Sequence, residues 1–138
     1  MKYYGYFRSS AAYRLRIALA LKGLDCEFES VHLTKDGGRQ HTPEFKAINP
    51  QELVPALVTD GGEVLTQSLA IIEYLDETHP EPPFLPADAL GRARVRAFAQ
   101  AIACDIHPLN NLRILQYIKR DMGLDEETKN SWYRHWID

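Results

Sequence analysis

Cysteine is scarce in this sequence, and so is any local grouping of the cysteines that are present. Only Cys26 and Cys104 occur among 138 residues, without C-x-x-C spacing. Secreted disulfide scaffolds of small size have a much higher cysteine density. We therefore expect a reducing, cytoplasmic location, and the sequence predicts no metal site.

The sequence also lacks an excess of positive charge and any long apolar run. Lys and Arg number 16 against 19 Asp and Glu, so the formal net charge is −3 and gives no general attraction to nucleic acid. The longest apolar stretches, such as residues 17–21, are too short to span a bilayer, and no signal peptide follows Met1. Nucleic acid and membrane are thus excluded as predicted partners, which leaves small ligands.

What the sequence does contain is an alternation of strand and helix patterns in residues 1–80. The predicted strands cover residues 2–7, 26–33, 54–58 and 63–65, and the predicted helices cover residues 11–22, 43–48 and 69–79. The order βαβαββα predicts an α+β fold in which a parallel strand pair with a crossover helix is followed by an antiparallel hairpin and a helix.

A proline-rich segment separates this region from a helical one. Four prolines between residues 80 and 86 cannot sustain a helix, and they predict a linker over residues 81–87. From residue 88 to 138 the apolar residues follow a helical rhythm, which predicts one long helix or two joined near Pro108, then a further helix. A helical bundle would need more partners than these.

The turn after the first predicted strand is the most promising place for chemistry. Ser9 and Ser10 precede the first helix, whose N-terminus has unpaired N–H groups and favours an anion. In thioredoxin-like folds a C-x-x-C motif occupies this place, but residues 9–12 contain no thiol, so disulfide exchange by the protein is not expected. The serines either donate hydrogen bonds to an external thiolate or simply cap the helix.

Three further groups are candidates, although each also has a plain structural interpretation. The bond between Val54 and Pro55 is a candidate cis peptide beside a ligand, and Gln67 with Ser68 either caps a helix or binds a carboxylate. Charged and polar side chains also flank the first turn or fall on neighbouring turns of the later helical segment: Arg8, Arg14, Arg16, His107, Asn111 and Arg113.

Four motifs occur in a fixed order along nearly the whole chain. They are YFRSSAAYRLRIALALKG from Tyr6, NPQELVP from Asn49, QSLAIIEYL from Gln67 and HPLNNLR from His107. Together they resemble the zeta class of glutathione transferases, which includes maleylacetoacetate and maleylpyruvate isomerases. One difference is that Ala11 stands where cysteine is common in that class, which argues against a role for a protein thiol.

The resemblance implies a thioredoxin-like N-terminal domain over residues 1–80 and the start of an all-α C-terminal domain over residues 88–138, a chain ending inside that domain, and a homodimer. It implies that Ser9 hydrogen-bonds the glutathione sulfur, that Val54 before cis Pro55 pairs with the cysteinyl part, and that Gln40 faces the glycyl end. The full implied glutathione-binding set is Ser9, Ser10, Ala11, Ala12, Tyr13, Arg14, Gln40, Val54, Pro55, Gln67 and Ser68. From the helical domain, the implied ligand-binding residues are His107, Asn111, Leu112 and Arg113.

The reaction implied is glutathione-dependent cis–trans isomerisation of a small dicarboxylate, maleylacetoacetate or maleylpyruvate. Ser9, Ser10 and Arg8 are the expected catalytic residues, and Arg8 with Arg113 would clamp carboxylates and stabilise an enolate. Two alternatives remain open: a glutathione transferase acting on small haloacids or other electrophiles, and a non-catalytic adaptor with the same fold.

Overall fold

The structure, a computed structural model, describes residues 1–137. Asp138, at the end of the predicted helical segment, lies outside the described residues. The chain divides into two compact units, one of residues Met1–Phe84 and one that starts at Leu85. This division falls within the predicted linker of residues 81–87, while the finer domain bounds given by the sequence stay a prediction.

The first unit is built on a mixed four-stranded sheet with the order β2-β1-β3-β4. Its strands are β1 (Lys2–Gly5), β2 (Glu27–Ser30), β3 (Ala56–Val58) and β4 (Val64–Thr66). β1 pairs with β2 in parallel and with β3 antiparallel, and β3 pairs antiparallel with β4. The predicted parallel pair and hairpin are confirmed, as is the α+β fold class. The strands are shorter than predicted, since the exposed Phe7 already lies outside β1.

Three helices accompany the sheet: α1 (Ser10–Leu21), α2 (Pro43–Ile48) and α3 (Ser68–Thr78). Leu15 and Leu19 on α1, like Ile71 and Leu75 on α3, recur at the four-residue spacing that places side chains on one helix face. They pack with side chains of β1 and β3 into one core, which consists of Tyr3, Leu15, Leu19, Leu57, Ile71 and Leu75. This core holds the N-terminal ends of α1 and α3 against the sheet.

A buried lysine, which local sequence patterns do not predict, joins α1 to α3. The side chain of Lys22 is completely buried, and its Nζ lies 2.5 Å from Asp76 Oδ1 and 2.6 Å from the carbonyl oxygen of Pro82. Asp76 Oδ1 also accepts a hydrogen bond of 2.9 Å from the backbone N–H of Phe84. The same lysine Nζ lies 4.3 Å from the centre of the Phe84 ring. Lys22 therefore fixes the chain segment that leaves the first unit.

The second unit is helical, but its helices are interrupted more often than the sequence predicts. α4 (Ala89–Gln100) continues into a π-helical turn, Ala101–Ile106, and a 3₁₀ turn, His107–Asn110. α5 (Leu112–Gln116) and a second π turn, Tyr117–Asp121, precede α6 (Glu126–Ile137). Neither one long helix nor two joined near Pro108 is therefore correct. Pro108 has no N–H to continue the helical hydrogen bonds, which accounts for the change of helix type there.

No helix within residues 1–137 combines the length and the apolar character that crossing a lipid bilayer requires.

Candidate functional site

Ser9 links the end of β1 to the start of α1 and caps that helix. Its backbone is extended, with φ −79° and ψ 117°, and its Oγ accepts a hydrogen bond of 3.2 Å from the N–H of Ala12. Ser10 is the first residue of α1. The capping interpretation is thus correct for Ser9, but a serine hydroxyl carries a donor as well as lone pairs. Because the cap uses only a lone pair, Ser9 can still donate its hydrogen to an anion.

The two alanines that follow support this turn by packing. Ala12 is almost completely buried, and Ala11 is buried as well. A Cβ added to Gly5 would lie 3.3 Å from the Cβ of Ala12 and 2.5 Å from Cε2 of Tyr3. The close approach of α1 to β1 therefore depends on glycine at position 5 and a small side chain at position 12. The methyl groups of Ala11 and Ala12 point inward, so only their backbone is available to a ligand.

The start of α3 forms a second polar feature of the first unit. Gln67 has φ 68° and ψ 112°, a conformation that non-glycine residues rarely adopt, and its side chain makes no capping hydrogen bond. The interpretation of Gln67 as a helix cap is therefore wrong. Strained residues of this kind cluster at ligand-binding positions, where the surrounding structure maintains the strain. Gln67 remains a candidate ligand residue, with an exposed side chain.

Ser68, the first residue of α3, contacts α1. It is only 6% exposed, and its Oγ accepts hydrogen bonds of 3.2 Å from Nε and 3.1 Å from Nη2 of Arg14. The sequence placed Arg14 among the glutathione-binding residues. The structure instead gives its guanidinium a protein partner, which is the residue predicted to bind the ligand.

Asn49 organises the turn that leads to Val54 and Pro55. Its side chain is buried, its Nδ2 donates to the carbonyl of Leu53 at 2.8 Å, and its Oδ1 accepts from the N–H of Gln51 at 3.0 Å. The bond between Val54 and Pro55 is cis, as predicted. Sequence reasoning missed the role of Asn49, although an asparagine directly before a proline is a typical turn signal.

We expect Asn49→Ala to lower the free energy of unfolding by about 2–4 kcal/mol, because it leaves two buried backbone groups without partners. Asn49→Asp is the matched control, since it keeps the acceptor for Gln51 but loses the donor to Leu53. Its loss should be smaller than that of the alanine variant. Urea unfolding followed by far-ultraviolet circular dichroism measures both, and equal losses would contradict this account.

Gln40 lies in a loop of two 3₁₀ turns, Lys35–Gly37 and Arg39–His41. Its side chain is buried, and its Nε2 donates to the carbonyl of Leu33 at 3.1 Å and lies 3.0 Å from Nε2 of His41. Within the described part of the chain, Gln40 Oε1 has no hydrogen-bond partner. The side chain thus points into its own loop, and a contact with the glycyl end of glutathione stays a prediction.

The candidate residues of the second unit lie in one short segment. His107 begins a 3₁₀ turn, Asn111 caps α5 by accepting at Oδ1 a 3.2 Å hydrogen bond from the N–H of Ile114, and Leu112 and Arg113 begin α5. Their predicted placement on neighbouring turns of one helix is wrong, because Asn111 has an extended backbone that separates the two turns. Trp132 Nε1 donates to the carbonyl of Leu109 at 2.8 Å and ties α6 to this segment.

The protein's own thiols differ in their surroundings. Cys26 is half-buried in the first unit, where burial raises the pKa of its thiol, while Cys104 is exposed in the second unit. A raised pKa keeps a thiol protonated and unreactive at neutral pH. Neither cysteine belongs to the segments that carry the candidate site.

Iodoacetamide at pH 8 should therefore modify Cys104 faster than Cys26, since alkylation requires the thiolate and an accessible sulfur. The variants Cys26→Ser and Cys104→Ser each leave one thiol, and mass spectrometry gives the rate for each. Faster modification of Cys26 would mean that its burial does not control its reactivity.

Comparison with known proteins identifies the family. Residues 4–83 match the N-terminal domain of glutathione S-transferases, which is more than half of the chain. The chain belongs to the glutathione S-transferase family. The predicted resemblance, and with it the thioredoxin-like nature of the N-terminal domain, is confirmed.

Individual glutathione S-transferases resemble the chain over nearly its whole length. A probable maleylacetoacetate isomerase of Vibrio cholerae is 58% identical over 135 residues, which are 98% of this chain and 62% of that protein. The holo structure of maleyl pyruvate isomerase, a bacterial zeta-class glutathione S-transferase, has a TM-score of 0.92 and 53% identity over 99% of this chain and 63% of its own.

A maleylacetoacetate isomerase structure from Methylobacterium extorquens AM1, with malonate and glutathione bound, has a TM-score of 0.90 and 48% identity over 98% of this chain and 62% of its own. The chain thus spans a little over three fifths of the length of these relatives, with 62% for the Vibrio cholerae protein.

Proposed function

We propose that the first unit binds glutathione with its sulfur at the N-terminus of α1. The observation that carries the proposal is the geometry of Ser9, whose Oγ uses a lone pair to cap α1 and keeps its hydrogen for an acceptor. A thiolate at this position would accept that hydrogen bond and lie at the positive end of the helix dipole. Both effects favour the charged form of the sulfur and lower the pKa of the bound thiol.

The remaining residues of the first unit would hold the rest of the tripeptide. The backbone of Val54 would pair with the cysteinyl part, Gln67 and Ser68 would hold the γ-glutamyl carboxylate, and Gln40 would face the glycyl end. Two observations support the carboxylate position: Gln67 does not cap α3, and α3 thus begins with N–H groups that an anion can bind. The second unit would contribute His107, Asn111, Leu112 and Arg113.

We infer that the reaction is the cis–trans isomerisation of maleylacetoacetate or maleylpyruvate. The thiolate adds to the activated double bond, the electron pair moves onto the conjugated carbonyl as an enolate, and the new single bond rotates. Collapse of the enolate then expels the thiolate, releases the trans isomer and regenerates glutathione. Arg8 and Arg113, both exposed, are the groups that would bind the carboxylates and stabilise the enolate.

The substrate class is supported by the relatives. The similar proteins are named maleylacetoacetate and maleyl pyruvate isomerases, and one structure holds malonate, a dicarboxylate, together with glutathione. A haloacid transferase would use the same thiolate but would release a leaving group instead of regenerating glutathione.

The test is to give the protein each cis substrate with and without glutathione and to follow the loss of enol absorbance. We expect isomerisation only with glutathione, and no consumption of the tripeptide. Equal rates without glutathione would contradict the mechanism. Halide release from chloroacetate without isomerase activity would favour the transferase instead.

We also propose that the protein is a cytoplasmic homodimer. In the second unit, α4 exposes Leu90, Val95 and Phe98, and the side chain of Phe98 is 72% exposed. Apolar side chains grouped on one surface are typical of protein interfaces. Light scattering coupled to gel filtration should give twice the 15.8 kDa chain mass, and a monomeric mass at micromolar concentration would contradict the dimer.

A further inference from the structure

The contact between Arg14 and Ser68 has a direction that bears on ligand binding. Both Nε and Nη2 of Arg14 donate to the same serine oxygen, at 3.2 and 3.1 Å. An arginine has donors only, so Ser68 must act as the acceptor in both hydrogen bonds. The lone pairs of the Ser68 hydroxyl are thereby engaged, and its hydrogen points away from the guanidinium.

We propose that Arg14 is a positioning residue for the γ-glutamyl carboxylate, and that it acts through Ser68 without touching the ligand. This inference rests on the proposed glutathione site. Arg14 holds the Ser68 hydroxyl in the orientation in which its hydrogen is donated to the carboxylate. It also polarises the O–H bond, since a hydroxyl that accepts from a cation becomes a stronger donor.

The surroundings of Ser68 make this orientation consequential. Ser68 is only 6% exposed, so water cannot freely replace a misdirected hydrogen bond. Arg14 lies one helical turn after the Ser9 cap, and Ser68 directly follows the strained Gln67. The Arg14 to Ser68 contact therefore joins the helix that would bind the sulfur to the helix that would bind the carboxylate.

The experiment measures the glutathione dissociation constant of the whole 138-residue chain by calorimetry. We expect Arg14→Met to weaken glutathione binding about tenfold, the size of one charge-assisted hydrogen bond. Arg14→Lys keeps the charge but loses the paired donors, and it should recover only part of the affinity. Arg16→Met, on the same helix, is the matched control because Arg16 stacks over Tyr13 with its Cζ 4.9 Å from the ring centre.

A ligand that lacks the recognised group separates positioning from a general structural role. With the dipeptide cysteinylglycine, which has no γ-glutamyl carboxylate, wild-type and Arg14→Met proteins should bind equally. In a Ser68→Ala background, Arg14→Met should weaken glutathione binding less than twofold further, because the two residues act as one unit. The folding of each variant is checked by its thermal unfolding midpoint.

Three results would overturn the inference. Unchanged glutathione affinity in Arg14→Met, the same loss of affinity for the dipeptide, or additive losses in the double variant would each show that Arg14 does not act through Ser68. If the wild-type protein bound no glutathione at all, the proposed function itself would fail, and that result is distinct from the other three.

Discussion

Replacing Ser9 by alanine is expected to lower the rate of glutathione-dependent isomerisation by about a hundredfold or more. Loss of one hydrogen bond to a developing anion typically has an effect of this size. The thiol bound to Ser9→Ala should have a higher pKa, because the donor that favours the thiolate is gone. The pH profile of kcat/KM should consequently move to higher pH, which a series of rate measurements from pH 6 to 9 would detect.

The same substitution also removes a helix cap, and the two effects must be separated. Loss of the hydrogen bond from Ala12 to Ser9 Oγ should cost about 1 kcal/mol of stability. Thr42→Ala is the matched control, because Thr42 Oγ1 caps α2 by accepting from the N–H of Phe45. This control should lose similar stability and keep its activity. Ser9→Asp should remain well folded with a carboxylate cap and yet be inactive, since it repels a thiolate.

Unchanged isomerisation in Ser9→Ala would show that Ser9 only caps the helix. The kinetics would then have to be explained by the helix N-terminus alone.

Replacing Lys22 by methionine is expected to lower the free energy of unfolding by about 3–5 kcal/mol. The substitution leaves Asp76, whose side chain is 15% exposed, without its cation, and the carbonyl of Pro82 without a donor. Breaking a buried ion pair by removing one partner costs this much because the other charge stays buried. Urea unfolding followed by far-ultraviolet circular dichroism is the suitable measurement, since both tryptophans of the chain lie in the second unit.

Two controls show whether burial is the cause. Lys119→Met breaks an exposed ion pair with Glu126 and should change stability by less than about 1 kcal/mol. Lys22→Met combined with Asp76→Leu should recover much of the loss, because no unpaired charge remains. A loss below 1 kcal/mol in Lys22→Met alone would mean that water reaches Asp76 and compensates for the missing lysine.

The sequence predicted those parts of the fold that depend on local signals. The glycine pair at residues 61–62 predicted the hairpin, and Pro43 predicted the first turn of α2, because turn and cap preferences act over a few residues. The π turn of Ala101–Ile106 was missed, since one wider turn barely alters the spacing of apolar residues.

Features that depend on distant residues could not be predicted in this way. Lys22 and Asp76 are 54 positions apart, and nothing in the local pattern of either one indicates burial. For the same reason, Arg14 was predicted to touch the ligand when its partner is Ser68. Gln67 was predicted as a possible cap because its position suggested it, and its left-handed backbone became visible only in the structure.

The two contacts between α1 and α3 restrict how these helices can change in evolution. Arg14 and Lys22 are two residues of α1 and its C-terminal cap, and their partners Ser68 and Asp76 stand on α3 in the same order and at the same spacing. A one-residue insertion between the two contacts on either helix would rotate the second partner by about 100° and break one pairing. Insertions and deletions in this protein should therefore accumulate in the loop of residues 34–41, while the two helices vary only by substitution.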